Sequence, residues 1–536
     1  MKVRTFVLLL ALVVGAAGSL PATSPVDQYP SLDQKQLGAL RHMIELSRRP
    51  PGSWQFMEPE ERLSNDNVIF QIAYMSYALA VVQSEVTPAY RELYRQALRS
   101  YIHKILQRDV WDMWLEVIEI PLFKQHLDPA KDWRDPVREK NIMYSGHVLQ
   151  MIGLYETLYD DREFDAPGSI VYELPGENGF RNTYNHESLA KLIADQFVNS
   201  GHMGIECEPN RIFTECNQHA IVGLVQYDRL HGTNLSDVRH RFWEKAKELR
   251  YIDPETKRAM WFYQVAEKEA VVHPLVRSDG WTGIMMHGWN RDFIESVYPP
   301  QRDAELPGLI DTTPERWRVR WGSSQVSQDF GFLAAYAAEM GDRATAQKLL
   351  EYADEHFAPR WADGGYFYPL RTVVGEEFEG PPKPVPTEKM GEHQVGPLTG
   401  NALLSFARLN PGRGIWNLYN KTSAASFAQS GDPEVVDVRY PEVQITQAYY
   451  DKAARKLAVS MVPGTDSQGR ISFGVRNLSP KGRYVVTVDG AEKMLLKKGK
   501  IQAKGPRTLD AKWDATSQEL RLECTLGSGH TVVEEQ

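Results

Sequence analysis

The sequence predicts a mainly α-helical fold: a helical toroid followed by a small C-terminal β-sandwich-like domain. Three observations carry that expectation. From about residue 30 to residue 410, apolar residues recur at helical spacing. From Pro433 onward the texture changes to short alternating runs split by turn residues. The 536 residues, 42% hydrophobic and 24% charged, suit a globular chain of two domains or three. Disorder, collagen and coiled coil are excluded as the main class by the same figures.

The N-terminus reads as a leader. Met1, Lys2, Val3 and Arg4 form a short basic region, Thr5 to Ala17 is apolar, and Ala16 and Gly18 suit a small-residue cleavage site. Residues 1–18 are therefore expected to be a signal peptide, and the mature protein to be secreted or lumenal in the secretory pathway. Residues 19–415 carry the helical pattern, in Gln34–Ser47, Val68–Val81, Glu92–Leu106, Ile142–Tyr159, Glu187–Val198, Gln218–Leu230, Asp237–Leu249, Val326–Met340 and Ala344–His356. Pro50–Ser53, Glu173–Asn182 and Gly380–Pro386 read as connections. Helices joined by loops of uneven length suggest inner and outer rings, with loops at one end flooring a cleft. The texture shifts near Gly414. Residues 430–536 hold strand-like runs at Val443–Tyr449, Lys456–Met461, Ile471–Arg476, Tyr484–Val488, Lys493–Lys497, Ala511–Asp514 and Glu519–Cys524.

The net charge of −9 offers no basic surface for nucleic acid. Three cysteines exclude a disulfide-stapled scaffold and a zinc site of four thiolates. Asn234, Asn420 and Asn477 begin N-x-S/T sequons and are candidate glycosylation sites in a eukaryotic secretory pathway.

Polar chemistry concentrates in residues 201–219, where Cys207 and Cys216 sit nine residues apart among Glu206, Glu208, Glu215, His202 and His219. The pair suits a disulfide in a secreted chain, an inert core, a metal site lacking its other ligands, or a catalytic thiol tuned by a nearby histidine. A second cluster, Glu139 to His147, opens a helix, and a third runs from Arg277 to His287. His147 taken alone reads as a hydrogen-bonded structural residue, and Asp279 before Gly280-Trp281 as a helix cap.

These residues resemble the linalool dehydratase-isomerase family of terpene-alcohol enzymes. Glu139-x-Asn-Ile-Met-Tyr-x-Gly-His147 is similar to the family's segment bearing the active-site histidine. Cys207-Glu-Pro-x-x-x-Phe-x-x-Cys216-Asn217 is similar to its two-cysteine stretch. Tyr227 to Thr233, Ile252-Asp-Pro254, Glu339 to Asp342 and Trp111-x-x-Trp114 also match, and the resemblance spans about residues 40–410. It implies an (α/α)6 barrel and chemistry without cofactor or metal. His147, Cys207 and Cys216 would then handle protons, and Met143, Tyr144, Phe213 and Trp281 would line the substrate pocket. The resemblance also implies an acid from an adjacent subunit of a homo-oligomer. Glu45 is its nearest match here, with Glu208 the other candidate carboxylate. The cysteines of the family's structural disulfide are missing.

The expected activity is dehydration, isomerisation or cyclisation of a hydrophobic terpenoid or polyketide-derived alcohol in secondary metabolism. Loss of hydroxide needs a proton donor, loss of the adjacent C–H proton needs a base, and aromatic faces and Met sulfur favour a carbocation-like state. A glycan-active hydrolase or lyase is the rival, with Asp279, Asp329, Glu206 and Glu208 as its carboxylates in an open groove. A non-catalytic binding protein would instead fill the toroid axis.

Overall fold

The structure, a computed structural model, describes residues 6–12, 29–59, 62–64, 67–272, 276–310, 325–369, 395–421, 431–464, 469–488, 491–503 and 509–526. The expected connection at Gly380–Pro386 and the cleavage site lie outside those residues. The chain is helix-rich, with a strand-rich C-terminal region.

All nine helices expected from periodicity are present, with local chemistry at their ends. Asp33 and Asn185 close capping boxes on Gln34–Arg48 and His186–Asn199, and Asn67 accepts the Ile69 N–H at the start of Val68–Glu85. Gly232, in the left-handed region at φ 68°, ends Thr214–His231. Two helices are buried on every side: all 18 residues of Ile142–Tyr159, and all of Val68–Glu85 but its last. Such helices lack a polar stripe and form the interior of the helical body. The His147 helix (Ile142–Tyr159) and the Cys216 helix (Thr214–His231) approach closely because glycines line their contact. A Cβ on Gly146 would stand 3.1 Å from the Ala220 nitrogen, and one on Gly223 2.8 Å from Leu149 Cγ.

Several readings are corrected. Glu173–Asn182 is mostly a hairpin, with strands Ile170–Leu174 and Phe180–Tyr184 paired antiparallel. Asp279 does not cap a helix. It lies inside the helix Val276–Met286, where its carboxylate takes Arg258 Nε and the Ala259 N–H. A partner distant in sequence overrides the local preference there. Gly414, where the sequence texture shifts, opens a further helix, Gly414–Asn420, and the strands of the C-terminal region follow from Glu434–Val436, as expected from Pro433 onward.

The C-terminal region holds two antiparallel sheets. One orders the strands Val443–Asp451, Lys456–Pro463, Phe6–Leu12, Arg483–Val488, Ala491–Lys497 and Lys500–Ala503. The other orders Leu509–Asp514, Glu519–Leu526, Gly469–Arg476 and Glu434–Val436. Phe6–Leu12, the apolar stretch of the expected leader, thus runs between two strands of the first sheet. The region is tied to the helices by backbone bonds, Leu32 to Thr446, Ala89 to Ala448 and Val435 to Ala89.

Candidate active site

The Cys207 loop and the His147 helix are joined at the backbone. The Glu206 carbonyl accepts the N–H groups of Asn141 (2.9 Å) and Ile142 (3.3 Å), two of the otherwise orphaned donors at that helix start. Gly204, at φ 110°, lets the loop turn against Ile212 and Phe242. Asn217 then clamps the loop to the Cys216 helix. Its Oδ1 accepts the Ile205 N–H and its Nδ2 donates to the Ile205 carbonyl. The Cys-Asn pair in the sequence thus joins Cys216 to the residue that positions the Cys207 loop.

The helices bring two imidazoles together. The rings of His147 and His219 lie 3.8 Å apart by their centroids, and both are fully buried. Their bonding differs. Trp281 Nε1 donates to His219 Nε2 at 2.5 Å, so that nitrogen is an acceptor and Nδ1 carries the proton, donated to Gln150 Oε1 at 2.6 Å. His219 is thereby used up as a neutral strut. His147 Nδ1 meets the Tyr77 hydroxyl at 2.7 Å, whereas its Nε2 is buried with no hydrogen-bond partner among the described residues. Burial pushes His147 down to about 3, so it is neutral at physiological pH. Phe70 stands edge-on to both His147 and Trp281, and Trp281 stacks on Phe332 at 4.9 Å.

Cys207 and Cys216 are buried, unbonded thiols. Burial raises both above the ordinary thiol range, and each is further affected by the other and by Glu208 and Glu215. Cys216 and Glu215 occupy the first turn of their helix, where Phe213 at the cap position supplies no capping oxygen. Burial raises Glu215 to about 8 and Glu208 to about 7. The Oε2 atom of each is shut off from solvent without a partner among the described residues. Tyr74 links the two halves. It feels the charge of Cys216 and Glu215, its ring lies 5.5 Å from Tyr77 and 6.0 Å from both His219 and Trp281, and its hydroxyl is also unpartnered. The result is a buried, aromatic environment in which His147 Nε2, the Tyr74 hydroxyl and one oxygen each of Glu208 and Glu215 lack partners among the described residues.

Other residues singled out by the sequence fall elsewhere. Glu45 sits half-buried on the Gln34–Arg48 helix, paired with Arg48 near Tyr440, so it does not serve the site of its own chain. Met143 is buried in the first turn of the His147 helix. The Tyr144 hydroxyl donates to the Ile105 carbonyl and its ring meets Tyr172, a structural placement. Phe213 packs on Phe262. Of the rival carboxylates, Glu206 pairs with Lys140, Asp279 with Arg258, and Asp329 accepts the Arg277 N–H. Asn234 is exposed, while the amides of Asn420 and Asn477 donate to backbone carbonyls. Tyr74, Tyr77 and Gln150 escaped sequence reasoning, because an all-apolar helix gives no pattern that marks one polar position.

A buried imidazole, two thiols and carboxyls raised by burial make this a candidate acid/base site. The chain belongs to the linalool dehydratase/isomerase family, whose sequence profile matches residues 69–373. That span includes His147, Cys207, Cys216 and Trp281, and leaves out Glu45 and the C-terminal sheets. Among solved structures, an unsaturated glucuronyl hydrolase specific for heparin overlaps 73% of this chain and 98% of its own, at 8% identity and a TM-score of 0.41. The α-1,6-mannanase of Salegentibacter sp. HEL1_6 overlaps 72% and 100%, at 11% identity and 0.38. Dfg5 from Chaetomium thermophilum, in complex with glucosamine, overlaps 72% and 91%, at 12% and 0.39. Overlaps this loose say nothing of the reaction.

Proposed function

We propose that this protein dehydrates, isomerises or cyclises a hydrophobic terpenoid or polyketide-derived alcohol by acid/base chemistry. The observation that carries the reading is the unpartnered Nε2 of a neutral, fully buried His147, on a helix packed against the one that bears the reduced thiol of Cys216. In a dehydration, a protonated group gives its proton to the hydroxyl, the C–O bond breaks and water leaves. In the tautomer whose Nδ1–H donates to the Tyr77 oxygen, His147 Nε2 takes the proton from the adjacent carbon as the new double bond forms. The proton returns to the acid, so the cycle is redox-neutral and balances without an electron carrier. Glu215, near 8, is well matched to the acid role at neutral pH. Cys207 and Cys216, held as thiols, donate hydrogen bonds to the hydroxyl rather than attack carbon. Trp281 and Phe70 offer π faces to the cationic carbon. In a cyclisation the same acid protonates an alkene or opens an epoxide, the π electrons of a second alkene form the ring bond to the cationic carbon, and the final cation loses a proton to His147 Nε2.

The helices are read as paired rings of an (α/α)6 toroid around this pocket. Glu45, turned away from its own site, would enter a neighbouring subunit's pocket in a homo-oligomer. Residues 1–18 are proposed to direct secretion.

The test is incubation of purified protein with a panel of allylic alcohols, following product by gas chromatography. Turnover that falls at least a hundredfold in His147→Ala and Cys207→Ala supports the reading. Variants as active as the parent would remove this site.

A further inference from the structure

A second buried cluster lies toward the other end of the His147 helix. Glu156 and His186 are fully buried, and Asp165 and His231 partly so. Glu156 stands near the end of Ile142–Tyr159 and Asp165 in the short turn Glu163–Asp165 that follows. His186 opens His186–Asn199, and His231 closes Thr214–His231. Glu156 Oε2 lies 2.9 Å from His186 Nδ1 and 3.6 Å from His231 Nε2. Asp165 Oδ1 lies 3.9 Å and 3.6 Å from the same two nitrogens.

We propose that these four side chains form a binding site for a divalent transition metal, zinc by ligand chemistry. Zinc with N and O ligands at ~2.0–2.1 Å in a tetrahedron sets ligand atoms about 3.3 Å apart. The four separations above bracket that edge, and all the donor atoms lie within 4.8 Å of one another. Two imidazoles with two carboxylates suit zinc, whereas calcium and magnesium favour oxygen alone. Two carboxylates also neutralise a dication, which a buried site requires.

The donors are already aimed at a cation. Arg162 Nη1 lies 3.3 Å from Glu156 Oε2, 3.5 Å from Asp165 Oδ2 and 3.4 Å from His231 Nε2. The same His231 nitrogen faces both carboxylates, so one guanidinium and two imidazole nitrogens converge on the space between them. Glu156 Oε1 is buried without a partner among the described residues and is a free ligand atom on the same carboxylate. Arg162 is a placeholder charge. It is 36% exposed and has Asp160 at 3.5 Å to hold it at the rim once an ion enters. The metal would fasten the His147 and Cys216 helices at the ends away from the thiols.

The test strips full-length protein with chelator, dialyses it against Zn²⁺ and counts retained metal by mass spectrometry. One equivalent is expected in the parent and in a Cys207→Ser/Cys216→Ser double variant. Binding should weaken at least tenfold in His186→Ala and in the milder Asp165→Asn, and hold or tighten in Arg162→Ala. Cobalt should give the visible bands of a four-coordinate ion in the parent, a readout that needs no folded variant. No retained zinc, zinc lost with the thiols, or equal zinc in Asp165→Asn would each overturn the site. Alcohol turnover is not among the readouts, so the metal site and the proposed reaction fail separately.

Discussion

Two buried imidazole clusters share one helix, and they are built in opposite ways. His147 and Glu156 are nine positions apart on Ile142–Tyr159, about 13 Å along the axis. At the His147 end the partners are phenol, indole, amide and thiol. Burial pushes the imidazole down and, outweighing the more distant charges of Arg211 and Arg277, raises Glu208 and Glu215. At the Glu156 end two carboxylates, two imidazoles and a guanidinium answer one another, and Glu156 is held below its ordinary value despite burial. Burial is common to both, so counter-charge decides the difference. The His147 end keeps carboxyls that burial raises toward neutrality, while at the other end Glu156 is held as a carboxylate and suits a structural or metal-binding role.

The sharpest way to break the contrast is to remove a group from each end. His147→Ala or Cys207→Ala should lower turnover by about 10²–10⁴-fold, with the folded state retained on thermal melts. Removing Glu156 should do the reverse. Glu156→Ala leaves the buried His186 and nearby Arg162 without their shared carboxylate, so unfolding in urea should show a loss of about 3–5 kcal/mol. The sign with pH follows from the depressed Glu156 value. Its contribution is fully present above the unfolded-state pKa and is lost as pH falls through the folded one. The acid limb of parent stability should therefore flatten in Glu156→Ala. An unchanged limb would mean the network holds no net charge.

Much of the helical body was legible because amphipathic periodicity survives wherever one face meets water. The candidate site residues were legible for a different reason: His147, Cys207, Cys216 and Trp281 sit in stretches whose residue order is distinctive. Their supporting shell was not. Tyr74 and Tyr77 lie on Val68–Glu85, a helix buried all round, where no alternation separates a pocket-lining phenol from a packing one. Asp279 was misread because Arg258, its partner, is 21 residues away in sequence. Glu156 drew no notice and His231 only as part of the Tyr227–Thr233 stretch, since their meeting depends on where three helices begin or end. The apolar Phe6–Leu12 stretch suits a leader and a buried strand equally well, because both need an unbroken hydrophobic run.

Glu215 allows a finer test with a predicted pH signature. Raised to about 8, it is protonated at pH 7, and turnover that depends on that proton should decline as pH rises through about 8. Glu215→Gln should lower turnover by roughly 10–100-fold and erase that limb. Stability gives the opposite sign to Glu156. A carboxyl raised on folding favours the native state at low pH, and that contribution is lost as pH rises through the folded value. Glu215→Gln should thus be more stable than the parent at pH 9, read by urea midpoints. Equal midpoints at pH 9 would show that Glu215 ionises freely.

The smallest change asks whether His147 owes its role to burial or to Tyr77. Tyr77→Phe removes only the hydroxyl 2.7 Å from Nδ1 and keeps the ring that stacks near His147 and His219. A single hydrogen bond is worth about 0.5–1.5 kcal/mol net, so turnover should fall by tenfold or less if Tyr77 merely orients the ring. Burial, the stated cause of the low His147 value, is untouched by this substitution, so the acid limb of the rate profile should stay where it is. A fall as large as that of His147→Ala would instead make the phenol a member of the proton path. The His147 end would then work as a relay through Tyr77 rather than as a lone base.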